Sequence, residues 1–156
     1  MNKPVISVVV EGKLPSVLDQ SMLDKIAAAT IENSAAKQGG VVGLKFTTEA
    51  DSKKLNKKYA HHDYPTDVLS FPYQVDQGST DQSLGDIVIC LPIAKTQAKK
   101  YEMSLKSELT LLIAHGLLHL LGYDHQSTQD AASLDWMQGA IMKALKQQYR
   151  DFQWSH

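Results

Sequence analysis

Three of the chain's six histidines fall between Ala114 and His125, in the order His115, His119, His125. Four residues apart, the first two share one face of a helix, about 6 Å apart along its axis. Gly122 predicts the end of that helix, because glycine reaches the left-handed conformation beyond a C-terminus at little steric cost. The chain turns back there and returns His125 to the mouth formed by the first two. Three neutral imidazoles around one point suit Zn²⁺ and leave its fourth position open, the pattern of a catalytic site. Such a cation lowers the pKa of a coordinated water towards about 7 and polarises a phosphoryl or carbonyl oxygen. A lone histidine beside an apolar run is ordinarily a hydrogen-bonded core residue. Three of them at ligand spacing across a helix end point to a metal instead. His61 and His62 fall in a polar stretch and His156 at the terminus, where solvent is the simplest partner.

Each ligating ring needs an acceptor for its second nitrogen. Asp124 beside His125, Asp86 on a strand, and Glu108, two helical turns before His115, are the candidates. Asp67 and Asp86 also border glycine- or proline-marked turns, where a carboxylate commonly binds backbone N–H groups.

Two patterns of metal hydrolase use this histidine spacing. The extended zinc-protease motif places a glutamate base directly after its first histidine. Here that position is Gly116, so a peptidase would lack its base. The run His115-Gly116-Leu117-Leu118-His119-Leu120-Leu121-Gly122-Tyr123-Asp124-His125 resembles instead the signature of the YbeY family, bacterial endoribonucleases of ribosomal RNA maturation. Pro65 to Pro72 and Leu84 to Cys90 match the same family in order, and the resemblance covers roughly residues 40 to 145. It implies an α+β fold, a small mixed four-stranded sheet packed against a helical layer with a central metal-binding helix. It implies one Zn²⁺ per chain on His115, His119 and His125. The activity implied is zinc-dependent, single-strand-specific endoribonucleolysis in rRNA processing, 16S rRNA 3′ end maturation and ribosome quality control. The implied partners are an rRNA precursor and the ribosomal small subunit or its proteins. His115, Asp86 and Asp67 form the candidate catalytic set, with Asp124 and Glu108 behind the ligands.

At one position the chain departs from the family. An arginine usually follows the tyrosine found here as Tyr59; this chain has Ala60, and its only arginine is Arg150. No guanidinium at that motif position can hold a phosphate in a bidentate fork. Lys53, Lys57, Lys58 and His61 are the candidate RNA-binding residues nearby, as point donors rather than a fork, and slow turnover is the expected consequence. A lysine face on a short helix is equally what simple solvation produces.

The remaining sequence supplies the frame. At 156 residues and 43% apolar, the chain is expected to form one domain, residues 1–156, with a sizeable core. Sixteen basic against seventeen acidic residues is not the balance of a strongly basic nucleic-acid binder, so an RNA partner requires charge segregated onto one face. A single cysteine, Cys90, excludes an internal disulfide and fits a reducing compartment. No targeting segment is visible, the run from Leu109 to Leu121 is too short and too interrupted to span a bilayer, and the expected location is the cytoplasm, away from any membrane.

Val5 to Val10, Val41 to Thr47, Val68 to Phe71 and Leu84 to Cys90 read as strands. Helices are expected from Ser21 (as N-cap) to Lys37, from Glu49 to about Ala60 under a Thr48 cap, and from Pro92 to about Tyr101. The metal helix follows a Ser104 cap, and a last helix runs from Gln129 to about Gln148 under Ser127 or Thr128. Leu134, Met137, Ile141 and Leu145 make the apolar stripe of the last helix. Residues 74–83 are polar and read as a loop. Two other readings stand beside the nuclease: a ribosome-assembly factor in which zinc is structural, and a metal-dependent hydrolase of peptides or other small substrates.

Overall fold

The computed structural model describes residues 4–72, 83–124 and 126–150. Its elements are β1 (Ile6–Glu11), α1 (Gln20–Glu32), β2 (Gly40–Thr47), α2 (Glu49–Ala60), β3 (Val68–Pro72), β4 (Ser83–Cys90), α3 (Leu91–Lys100), α4 (Leu105–Leu120) and α5 (Thr128–Ala144). The sheet order is β1-β2-β4-β3, with the first three strands parallel and β3 antiparallel to β4. This is the mixed four-stranded α+β arrangement expected.

Alternation along the strands decides which face is closed. Ile6 and Val8 of β1, Val42 and Leu44 of β2, and Ile87 and Ile89 of β4 are buried and belong to one core cluster with α1, α4 and α5. Helix α4 lies at the centre of that layer, and every residue from Ser107 to Leu118 is buried. An almost uniformly apolar helix is stable only when enclosed on all sides, and α1, α3, α5, β3 and β4 enclose this one. Gly116 sets how closely α4 meets the sheet, since a Cβ there would stand 2.8 Å from Ile87 Cδ1. The position that carries a glutamate base in zinc proteases is thus a packing contact, and a carboxylate there would have to enter the core.

Several boundaries differ from the expected ones. Asp19, not Ser21, caps α1, its Oδ1 accepting from Met22 N at 2.8 Å. That helix ends at Glu32 rather than Lys37. Asn33 turns its side-chain amide back onto Ala29 O (2.8 Å), and Ala35 N donates to the Tyr123 hydroxyl (2.7 Å), so a tertiary bond replaces the next helical one. Helix α5 starts after a Ser127 cap and stops at Ala144, with Lys146 left-handed (φ 56°). The residues beyond dock on the start of α4: Ser107 Oγ donates to Gln147 Oε1 and Ser104 N to Gln148 Oε1, each at 2.7 Å. The polar loop expected at 74–83 falls largely outside the described residues, and Ser83 already belongs to β4. No helix among the described residues is long and apolar enough to cross a membrane.

Candidate metal centre and its surroundings

His115 and His119 lie one turn apart on α4, with ring centroids 5.1 Å apart and planes inclined at 67°. His115 is buried and His119 half-buried, so the pair runs from the core towards the surface. The helix then closes in a Schellman motif: Tyr123 N donates to Leu118 O and Gly122 N to His119 O, both at 3.0 Å, with Gly122 at φ 101°. The Tyr123–Ala35 bond ties this reversal to the end of α1. The chain is thereby turned back just before His125, which lies outside the described residues. Asp124 Oδ1 accepts from Gln126 N at 3.2 Å, a local bond that shapes the same reversal.

Gln138 is the residue that sequence reasoning missed. It sits inward on α5, fully buried, and its Oε1 lies 2.9 Å from His115 Nδ1. An amide oxygen only accepts, so in this amide orientation Nδ1 is the donor, and in the neutral ring the lone pair then falls on Nε2. An imidazole held this way through one nitrogen is the usual companion of a metal bond through the other. The donor set therefore fits a transition-metal ion on His115 and His119, with His125 next along the chain. The remaining polar atom of that amide, Gln138 Nε2, is buried with no partner among the described residues. Those residues bring together no group of three or more histidine, cysteine or acidic side chains able to hold a metal. The only hint of Gln138 in the sequence was a polar residue inside the apolar stripe of α5.

The acidic candidates are elsewhere. Glu108 is completely buried in the first turn of α4, where Arg150 grips it from Nε (3.2 Å) and an Nη nitrogen (2.8 Å). Asp67 is buried too, its Oδ1 accepting from Val68 N at 2.8 Å and Thr66 Oγ1 at 3.2 Å. The Gln97 side-chain amide of α3 lies between the two carboxylates; turned with its nitrogen towards them, the orientation that satisfies both, it donates to Glu108 Oε1 (3.0 Å) and Asp67 Oδ2 (3.2 Å). The Arg150 guanidinium also stacks 4.0 Å over the Tyr101 ring. Cys90 lies near this group. Burial pushes its thiol above the usual value of 9.0, and the charges of Glu49 and Asp67 push the same way. The Ile93 backbone and the Ser52 side chain offset part of that rise through hydrogen bonds.

Asp86 occupies a third place. Ile87 faces Gly116 of α4, so by strand alternation Asp86 projects from the other face of the sheet. It leans over Gly43, where a Cβ would overlap its Oδ1. The acceptor that reaches His115 is Gln138, from α5, and Asp86 instead lines a cleft of about 680 Å³ with Tyr59 and Phe71.

Helix α2 borders that cleft. Its Thr48 cap accepts from Asp51 N, as expected. Its inward face is polar: Ser52 exchanges hydrogen bonds with Thr66, and Asn56 Nδ2 donates to Tyr64 O. Lys53, Lys54, Lys57 and Lys58 are left exposed together on the outside. Lys53 has a 3.9 Å contact with Asp63, and Lys58 Nζ stands 5.1 Å from the Tyr59 ring centroid. His61 is the left-handed C-cap of this helix (φ 60°), its N–H satisfied by Asn56 O and its side chain exposed.

Comparison with known proteins is consistent with this layout. The family model described as Endoribonuclease YbeY matches residues 12–146. The endoribonuclease YbeY of Moorella thermoacetica is 43% identical over 128 residues, 76% of this chain and 80% of that protein. The one from a Sulfurihydrogenibium species is 33% identical over 134 residues, 86% of this chain and 82% of its own. A Thermotoga maritima solution structure aligns with a TM-score of 0.56 at 24% identity, over 91% of this chain and 92% of the other, a likeness of fold. All three clustered histidines and Gln138 lie inside the family match, whereas Arg150 lies beyond it.

Proposed function

This chain belongs to the endoribonuclease YbeY family, and from that premise we propose that it is a zinc-dependent, single-strand-specific endoribonuclease. Its expected task is rRNA processing, including 16S rRNA 3′ end maturation and ribosome quality control in the cytoplasm, in association with the small subunit or its proteins. The observation that carries the chemical reading is the buried Gln138–His115 bond, with the His119 ring edge-on to His115 one turn further along. His115, His119 and His125 would hold one Zn²⁺.

When bound, that ion supplies Lewis acidity towards a phosphoryl oxygen and activates water near neutral pH. Everything else is done by the chain's own residues. Gln138 holds the His115 ring in one tautomer and one orientation. The Schellman turn and the Tyr123–Ala35 bond fix the direction in which the chain leaves α4. Asp67 and Glu108 hold the N-terminal end of α4 and its neighbours together, since both are buried and engaged by groups from other elements. Lys53, Lys57, Lys58 and His61 present positive charge for the phosphates of a strand, each as a point donor. With Ala60 in place of an arginine, the transferring phosphate receives no bidentate clamp from this helix, which accounts for an expected slow turnover.

The test is cleavage of single-stranded RNA by the purified protein and by His115→Ala and His119→Ala. Loss of a ligand is expected to reduce cleavage by more than about 100-fold, beyond the loss typical of residues behind the ligands. Chelation should abolish cleavage and added Zn²⁺ restore it. Equal activity in the wild type and both variants would refute a metal-centred nuclease.

A further inference from the structure

Among the described residues, the face of the sheet turned away from α4 is only partly covered, and neither His115 nor His119 lines its cleft. Gly43 and Lys45 of β2 and Asp86 of β4 form the floor, and Tyr59 and Phe71 form a wall. The two rings meet edge to face with centroids 5.0 Å apart. Phe71 thereby sets the orientation of Tyr59, yet Tyr59 remains 56% exposed. An exposed aromatic ring held by a second ring is costly as surface and useful as a platform. At about 680 Å³, the cleft falls within the roughly 300–1,000 Å³ usual for small-molecule sites. Lys58 stands against the Tyr59 ring, and Lys57 and Lys54 are exposed on the same helix. Aromatic rings beside a row of cations are how proteins take unpaired nucleotides, through stacking on the base and charge on the backbone.

We propose that this cleft seats one unstacked base of single-stranded RNA on the Tyr59–Phe71 pair, with Lys57 and Lys58 on the adjoining phosphates. The proposal rests on the endoribonuclease reading and adds to it a base subsite on the opposite sheet face from the histidine helix. It also gives a physical source for single-strand preference. A base inside a duplex is stacked on both sides and has no face to offer Tyr59.

The experiment measures binding of a fluorescent single-stranded RNA decamer by the full-length protein. The same strand with abasic sites is a second probe, and cleavage of the intact strand is followed in parallel. Tyr59→Ala is expected to weaken binding by about 5- to 150-fold, the range of a lost base–aromatic stack. Tyr59→Phe should bind within about twofold of wild type, because phenylalanine keeps the ring face. Abasic RNA should bind wild type as weakly as intact RNA binds Tyr59→Ala, and combining the two changes should add little. If the wild type binds and cleaves RNA but Tyr59→Ala binds equally well, the subsite is wrong and the nuclease reading stands. Equal losses in Tyr59→Ala and Tyr59→Phe overturn the stacking, since the hydroxyl would then be the contact. A wild type that neither binds nor cleaves RNA removes both proposals.

Discussion

The two ends of α4 carry ionisable side chains about 16 Å apart along one helix, and they are built in opposite ways. At the N-terminal end, Glu108 is sealed from solvent and gripped by Arg150, Gln97 shares its nitrogen between Glu108 and Asp67, and Gln147 and Gln148 engage Ser107 and Ser104. A carboxylate in a first turn is also favoured by the helix dipole. At the C-terminal end, a neutral amide reaches His115, and His119 emerges towards the surface. Charge is neutralised within the fold at one end, while the other carries two imidazoles that run out towards the surface. The lesson is that a buried acid on the same helix as two candidate ligands need not belong to their site; what surrounds it decides.

That contrast can be broken. Its largest expected effect comes from Arg150→Ala, which strands a carboxylate that is 0% exposed. Removing one partner of a buried ion pair costs about 3–5 kcal/mol, read as a lower urea midpoint. Replacing both partners, Arg150→Met with Glu108→Leu, should recover much of it, because two apolar side chains leave no uncompensated charge. Metal content of the folded Arg150→Ala protein should stay at one ion per chain; a parallel loss would show that the two ends are one site.

Gln138→Leu tests the other end. It removes the amide oxygen that holds His115 Nδ1, and a loss of about 10- to 100-fold in metal affinity and in cleavage is expected. Gln138→Glu, which keeps an acceptor at the same place, should restore most of the affinity. A leucine variant with unaltered Zn²⁺ binding would demote Gln138 to a core residue.

The smallest effect concerns Cys90, beside the acidic end. Burial, Glu49 and Asp67 raise its pKa above 9.0, so the folded protein favours the neutral thiol more than the unfolded chain does. Its contribution to stability is therefore complete below the unfolded thiol's pKa and declines as pH rises through the alkaline range. Thiol-reagent labelling should be slow in the native protein at neutral pH and become fast once urea unfolds it. Rapid native labelling would mean that this end is open to solvent.

How far the sequence could be read follows the range of each interaction. The i, i+4 histidines, the helix end at Gly122, and the Thr48, Ser104 and Ser127 caps depend on partners within a few residues, and all are where spacing placed them. The strands were legible from alternation and β-branching, and with them the α+β class. The misjudged ends of α1 and α5 have distant causes: Tyr123 takes a backbone N–H 88 residues away, and the segment after α5 is drawn to Ser104 and Ser107. Gln138 finds His115 across 23 residues and Arg150 finds Glu108 across 42, and no periodicity announces either pairing. Alternation could have said that Asp86 and Ile87 face opposite ways, but not which face α4 would cover. By itself, then, the sequence determined the helix that carries His115 and His119, its ends and the shared face of the two rings, because those rest on local geometry. Only the tertiary structure decided which acid Arg150 grips, which amide reaches His115 and which sheet face α4 covers, because each depends on groups that folding alone brings together.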